Sequence, residues 1–162
     1  MRAIALAVWL IISAGLPVAA QEAVFIIRHA EKELSGADPS ITKAGKLRAA
    51  AWAKMLRHVG LDVVFTSDAK RTRQTGEIIA ASLGLPLHAR NRADTAGLTD
   101  TLSFDHEEDV VLIVAHAETI PGILQNLGVS GNIKVSQADF ANLFIVAQPG
   151  SDKARLLRLQ MP

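Results

Sequence analysis

The sequence contains no cysteine among its 162 residues. This absence excludes disulfide-stapled mini-proteins, zinc ribbons, iron–sulfur proteins and enzymes with a thiol nucleophile. The sequence also lacks an excess of either charge, because 17 Lys and Arg are balanced by 16 Asp and Glu. Proteins that bind nucleic acid usually carry a basic surface, so no nucleic-acid partner is expected.

Repeats of fixed period, low-complexity tracts and interdomain linkers are also missing from the sequence. Apolar residues make up 49% of the chain, and this fraction excludes intrinsic disorder. The length suits one domain with a normal core, whereas two full domains would be cramped. We therefore expect a single folded domain.

The first twenty residues stand apart, because sixteen of them are apolar. Arg2 precedes an apolar run over 3–12, and small residues follow up to Ala20. This is the layout of a secretory signal peptide, and the run is shorter than the ~20 residues that a spanning helix needs. We expect a signal peptide over 1–20, cleavage after Ala20, and an exported domain over 21–162 that is not membrane-bound, periplasmic if the source is bacterial. An uncleaved membrane anchor is the alternative.

Short apolar runs then alternate with amphipathic segments. Continuous apolar runs predict buried strands at 23–27, 63–65 and 110–115. Helical patterns begin at Thr42, after a cap at Thr66–Asp68 and at about Thr119, with a short helix inside 90–109. Two last runs, 143–147 and 154–160, predict a hairpin. The alternation favours an α/β fold of three layers, with a mostly parallel central sheet, helices on both faces and a C-terminal antiparallel hairpin.

The first of these helices follows Thr42, which can cap it, and stops before Gly60. The apolar residues predicted to face the core are Ala44, Leu47, Ala51, Met55 and Leu56. Trp52 is expected to pack in the core rather than to contact a substrate.

Polar side chains follow three of the predicted strands, where open α/β sheets bind their ligands. These segments are Arg28–Glu31, Thr66–Asp68 with Arg71 on the next helix, and His116–Thr119. The arginine fork matches phosphate geometry, and free backbone N–H groups at a helix start favour anions. An unprotonated histidine can act as a nucleophile. The sequence therefore predicts an oxyanion site with an imidazole directed into it.

The ordered set Arg28-His29-Ala30-Glu31, Ser67-x-x-x-Arg71-x-x-Gln74-Thr75 and His116 resembles the histidine phosphatase superfamily, the phosphoglycerate-mutase-like and acid-phosphatase-like group. The resemblance extends over nearly all of the chain after residue 20. It implies a phosphoglycerate-mutase-like fold and a phosphatase that needs neither a metal nor a cofactor. In such an enzyme His29 would attack phosphorus and water would release phosphate from the phosphohistidine. Arg28, Arg71 and His116 would hold the non-bridging oxygens.

The sequence departs from the commonest family pattern around the phosphate. Many members have an Asn ligand six residues after the nucleophile, where this chain has Ser35. We nevertheless place Ser35 and Thr119 with the two arginines as predicted substrate-binding residues.

The residue that would donate a proton to the leaving group also departs from the family pattern. In one branch of the family an acidic residue directly follows the second histidine, but here Ala117 does and Glu118 comes one later. We predict Glu118 as the donor, which makes it the third catalytic residue beside the two histidines. Asp94 is the alternative, in a region that also holds Asp100. If neither carboxyl group can reach the leaving atom, only substrates with good leaving groups, such as acyl phosphates or phosphoramidates, would be cleaved.

Other functions remain open at this point. The same fold could form a non-catalytic module that binds phosphate or a phosphoprotein, or a phosphotransferase or mutase. The triplets at 29–31 and 116–118 are both His-Ala-Glu and could bind zinc, although two arginines nearby oppose a cation. The expected substrate is a phosphorylated small molecule or an envelope-glycan phosphate, selected by the loops at 33–41 and 89–106. The oligomeric state is left open.

Overall fold

The computed structural model describes residues 23–161, so the predicted signal peptide and its cleavage site lie outside the described residues. Six strands and four helices alternate along this part of the chain. They are β1 (Ala23–Arg28), α1 (Lys43–Leu56), β2 (Val63–Ser67), α2 (Lys70–Leu83), β3 (Leu87–Arg90), α3 (Thr95–Asp105), β4 (Val110–Ala115), α4 (Ile120–Asn126), β5 (Asn142–Ala147) and β6 (Arg155–Gln160). None of the helices in 23–161 is long and apolar enough to cross a bilayer.

The strands form one sheet in the order β3-β2-β4-β1-β5-β6. The first four strands of this order run parallel, whereas β5 and β6 run antiparallel to their neighbours. Arg28 pairs with Ala115, so the central strands β1 and β4 end side by side. The predicted parallel sheet and terminal hairpin are confirmed.

Helices cover both faces of the sheet, because alternate residues of the central strands point to opposite sides. On one face, α3 and α4 pack on a core that includes Ile26, Phe65 and Ile113. On the other, α1 and α2 pack on a core that includes Ile27 and Leu112. The three-layer prediction is therefore confirmed.

The predicted core face of α1 is wrong for four of its five residues. Ala44 and Ala51 are exposed, Leu47 is 66% exposed and Met55 is 42% exposed; only Leu56 is buried. The helix instead buries Gly45, Ala49, Trp52, Ala53 and Leu56. The reason is a close approach to the strand-end backbone, since a Cβ on Gly45 would lie 2.4 Å from the carbonyl oxygen of Glu31. Small residues allow this approach, and Trp52 is in the core as predicted.

The start of α2 also differs from the prediction. Ser67 belongs to β2, and Ala69, which has no capping side chain, precedes the helix. The carboxylate of Asp38 accepts from the backbone N–H of Lys70 with both oxygens, at 3.0 and 3.1 Å. The sequence predicted that Thr66–Asp68 would cap α2. The capping acceptor instead comes from Asp38, 32 positions before Lys70 in the chain.

Candidate active site

The two histidines that follow β1 and β4 lie side by side. The backbone N–H of His29 donates to the carbonyl of Ala115 at 2.9 Å, which extends the strand pairing by one residue. The ring centroids of His29 and His116 are 5.3 Å apart, and both side chains are buried. The parallel pairing of β1 with β4 therefore brings both predicted catalytic histidines to one point.

The guanidinium of Arg71 contacts both rings. Its Nε–H donates to Nε2 of His29 at 3.2 Å, and an Nη2–H donates to Nδ1 of His116 at 3.1 Å. Arg71 stands on the first turn of α2 and is buried, and its Nη1 lies 3.7 Å from the carboxylate of Asp38. Arginine has a rigid planar fork, so this one side chain fixes the relative position of the two imidazoles.

His29 has the protonation state that a nucleophile needs. Its Nδ1 lies 2.7 Å from the carbonyl oxygen of Ala30, which can only accept, so Nδ1 carries the hydrogen. The lone pair is then on Nε2. Burial, together with the charges of Arg28 and Arg71, lowers the pKa of His29 from 6.5 to about 3. The ring is thus neutral at pH 7.

His116 has the opposite tautomer. Because Nδ1 accepts from Arg71, Nε2 carries the hydrogen and donates to Oγ of Ser67 at 2.8 Å. Ser67 Oγ lies 2.7 Å from the hydroxyl of Thr72, which donates to the carbonyl of Ala69 at 2.7 Å. Burial and then the charge of Arg71 lower the pKa of His116 to about 4. Ser67 lies in the motif of the resemblance, and the structure shows that it orients the second histidine.

Arg28 is buried against a loop that the sequence did not single out, residues 136–140. One Nη donates to the backbone carbonyl of Gln137 and the other to its side-chain Oε1, the latter at 3.1 Å. The Cζ of Arg28 lies 4.0 Å from the ring centroid of Phe140, a cation–π contact. No local pattern marks this loop, since Arg28 and Gln137 are 109 positions apart.

Glu118 is tied to the same loop. Its Oε2 accepts from Nε2 of Gln137 at 3.1 Å, so the amide of Gln137 connects Glu118 to Arg28. Burial favours the neutral acid, but the hydrogen bond from Gln137 and the charges of His116 and Arg71 outweigh it and lower the pKa of Glu118. The free protein therefore holds Glu118 as a carboxylate.

The remaining predicted residues lie less directly at the site. Ser35 belongs to the exposed loop 33–38. Thr119 Oγ1 accepts from the N–H of His116 at 3.2 Å and donates to its carbonyl at 3.3 Å, so it stabilises the turn into α4. Asp94 caps α3 by accepting from the N–H of Gly97 at 2.8 Å. Asp100 is an exposed residue of α3.

The site thus unites His29, His116, Arg28, Arg71 and Glu118, while Ser35 stays in the outer loop. Sequence reasoning missed Asp38, Gln137 and Phe140, along with Arg92, whose charge also lowers the pKa of His116. The Asp-Pro step at 38–39 is a turn signal that could have drawn attention to Asp38.

The two His-Ala-Glu triplets do not converge on a common metal position. Glu31 turns to Arg48, accepting from its Nε at 2.7 Å, while Glu118 turns to Gln137. Within 23–161, no group of three or more His, Asp or Glu is arranged to hold a metal ion.

Comparison with known proteins gives one family and one fold. The family model of the histidine phosphatase superfamily (branch 1) matches residues 24–95. No curated protein matches the chain.

Solved structures are similar to nearly the whole described chain. The protein histidine phosphatase SixA, in complex with tungstate, is 19% identical with a TM-score of 0.67, over 85% of this chain and 96% of that one. A mycobacterial glucosyl-3-phosphoglycerate phosphatase, in complex with VO3, is 14% identical with a TM-score of 0.64, over 85% and 97%. A protein from Agrobacterium tumefaciens assigned as the phosphohistidine phosphatase SixA is 18% identical with a TM-score of 0.63, over 87% and 99%.

Because these three structures are less than 20% identical to this chain, they establish its fold and nothing more. The family model covers the part of the site that includes His29 and Arg71. The other part follows from the β1–β4 pairing that places His116 beside them. Residues 24–95 therefore match the histidine phosphatase superfamily (branch 1), and the described chain as a whole shares the fold of known phosphatases, which together support a phosphatase enzyme.

Proposed function

We propose that the protein is a metal-independent phosphatase that hydrolyses a phosphomonoester through a phosphohistidine formed on Nε2 of His29. One observation carries the proposal. The lone pair of Nε2 is fixed by the Nδ1–H contact with Ala30, and it lies beside the cationic fork of Arg71. A neutral imidazole within an arginine cradle suits attack on a phosphate dianion.

In the first step, the lone pair of Nε2 forms the N–P bond while the P–O bond to the leaving group breaks. The bonding electrons go to the leaving oxygen, which takes a proton from the acid, for which Glu118 is the candidate. Arg28, Arg71 and His116 stabilise the charge on the three equatorial oxygens.

In the second step, water attacks phosphorus and the N–P bond breaks, which restores neutral His29 and releases inorganic phosphate. The carboxylate of Glu118 takes the proton from the attacking water. Glu118 therefore needs to gain a proton on substrate binding, and a phosphate dianion placed nearby raises its pKa in the required direction.

Two of the similar solved structures hold an oxyanion, tungstate in SixA and VO3 in the mycobacterial phosphatase. Those ligands support an oxyanion site in this chain too. As the substrate class we propose phosphorylated small molecules, including envelope-glycan phosphates. We also propose export with cleavage after Ala20, on the sequence of 1–20. An N-terminus at Gln21 in the mature protein would support cleavage, and retention of Met1 would contradict it.

The test is hydrolysis of 4-nitrophenyl phosphate with EDTA, with vanadate, and by the His29→Ala variant. We expect EDTA to leave the rate unchanged, vanadate to inhibit, and His29→Ala to lower kcat by about a thousandfold or more. His58→Ala is the matched control, since His58 is exposed at the end of α1. Full activity of His29→Ala, or loss of activity in EDTA, would overturn the proposal.

One observation favours a second candidate, a non-catalytic phosphate-binding module. The pKa of Glu118 is lowered in the free protein, so the donor must be protonated only after binding. Phosphate binding in calorimetry without turnover of any ester or acyl phosphate would establish this second function. A mutase is less favoured; it would pass the phosphoryl group to an added alcohol faster than to water.

A further inference from the structure

A groove of about 460 Å³ opens beside the phosphate site. Its lining residues are Arg28, Glu31, Lys32, Leu34, Gln137 and Phe140, of which Leu34 and Phe140 have apolar side chains. Arg28 belongs both to the groove and to the predicted phosphate cradle, so the two sites are continuous. We propose that this groove is the leaving-group subsite and that it takes a flat apolar body, such as an aryl group; this rests on the proposed function.

Proximity to the nucleophile supports this assignment. The ring centroid of Phe140 lies 6.0 Å from that of His29, in an edge-to-face arrangement. The guanidinium of Arg28 lies on one face of Phe140 at 4.0 Å from the centroid. A substituent on a phosphate held by Arg28 therefore comes within reach of the aromatic ring.

Leu34 lies among the lining residues at the solvent-exposed edge of the groove. Its side chain is 100% exposed. Single exposed leucines are common on protein surfaces, but this one shares a groove with Phe140, next to a charged site. Covering part of such a side chain with an apolar ligand is favourable, because it removes apolar surface from water. A sugar body would gain less from Leu34 and Phe140, because it presents less apolar surface to these two side chains.

The test compares 2-naphthyl phosphate with phenyl phosphate, whose leaving groups are of closely similar acidity. We expect the wild-type protein to prefer the naphthyl ester by about tenfold in kcat/KM. Leu34→Ser should reduce the preference to about twofold or less, because it removes one of the two apolar side chains that line the groove. Leu47→Ser is the matched control, since Leu47 is an exposed leucine on α1 outside the groove, and it should keep the wild-type preference.

A binding measurement separates this inference from the proposed function. Calorimetry with naphthylmethylphosphonate and benzylphosphonate, which are not hydrolysed, should show the same preference and the same loss in Leu34→Ser. Loss of hydrolysis with retained naphthyl preference in binding would overturn the phosphatase mechanism and leave the subsite standing. Equal binding of both phosphonates, or an unchanged preference in Leu34→Ser, would overturn the subsite.

Discussion

The Nε–H of Arg71 donates to Nε2 of His29 at 3.2 Å, and in the proposed mechanism this nitrogen attacks phosphorus. In the free protein the lone pair of the proposed nucleophile is therefore engaged by the cation that is proposed to hold the phosphoryl oxygens. A bound phosphate competes for the same N–H groups, so substrate binding itself can release the nucleophile. The contact also keeps Nε2 as an acceptor, since arginine can only donate.

Replacing Arg71 by lysine tests this dual role. Lysine keeps the charge but loses the rigid planar fork, so it cannot hold His29 and His116 in the same fixed geometry. We expect Arg71→Lys to lower kcat by about a hundredfold while the protein stays folded. Arg73→Lys is the matched control two positions along the same helix, where Arg73 is exposed. Steady-state kinetics with circular dichroism checks both variants, and near-normal kcat in Arg71→Lys would contradict the dual role.

The acid dependence of stability should report the buried histidines. The folded pKa of His29 is about 3 and that of His116 about 4, both below the ordinary value of 6.5. Below pH 6.5 the unfolded chain gains protons that the folded site does not, so the free energy of unfolding falls as pH falls through this window. Between pH 7 and about 5 each histidine should account for a loss of about 2 kcal/mol.

Urea unfolding of the wild type and His29→Asn at these two pH values measures this effect. The variant should lose about 2 kcal/mol less than the wild type over the interval. An identical loss in both proteins would show that His29 is not held neutral by the fold.

Glu118 can be tested through the leaving group. A general acid matters most when the leaving oxygen is basic. We expect Glu118→Gln to slow hydrolysis of phenyl phosphate by about a hundredfold and that of 4-nitrophenyl phosphate much less. Asp94→Asn is the comparison variant, and because Asn also caps helices it should alter neither rate much. If Asp94→Asn instead shows the larger effect on phenyl phosphate, the donor is Asp94.

Gly45 should be required for both stability and activity. A Cβ at this position would meet the carbonyl oxygen of Glu31 at 2.4 Å, so α1 and the segment after β1 would have to separate. We expect Gly45→Ala to destabilise the protein by about 2 kcal/mol or more and to lower kcat. Gly122→Ala in α4 is the control, since its nearest contact would be at 3.7 Å. Equal denaturation midpoints for the two variants would refute the close approach.

The sheet and its strand ends were accessible from sequence because they depend on local patterns. Apolar runs marked β1 and β4, and parallel strands bring their carboxyl ends to one edge, so His29 and His116 had to lie close together. The buried face of α1 was not accessible in this way. Leu47 and Met55 form an apolar stripe on the exposed side of the helix, whereas the buried side uses Gly45 and Ala49, whose small size carries little hydrophobic signal.

The periphery of the site depends on long-range contacts that no local pattern encodes. Gln137 joins Arg28 to Glu118 from a loop 109 positions along the chain from Arg28. The resemblance suggested Ser35 as a ligand, because many family members have an Asn at this position, but residues 33–38 are exposed and the chain is buried again only at Ile41.

The backbone hydrogen bond from His29 to Ala115 attaches His29 to the central strands, which are the part of a fold that opens least readily. His29 and His116 directly follow the paired central strands β1 and β4. The backbone amides of these strands should exchange hydrogen only on global unfolding. The segments that bear Leu34 and Phe140 are irregular and open to solvent, and should exchange through low-energy fluctuations. Changes at Leu34 can therefore accumulate without disturbing the two histidines, whereas Gln137 and Phe140 also hold Arg28 and Glu118 in place. Substrate preference in this architecture can evolve separately from chemistry.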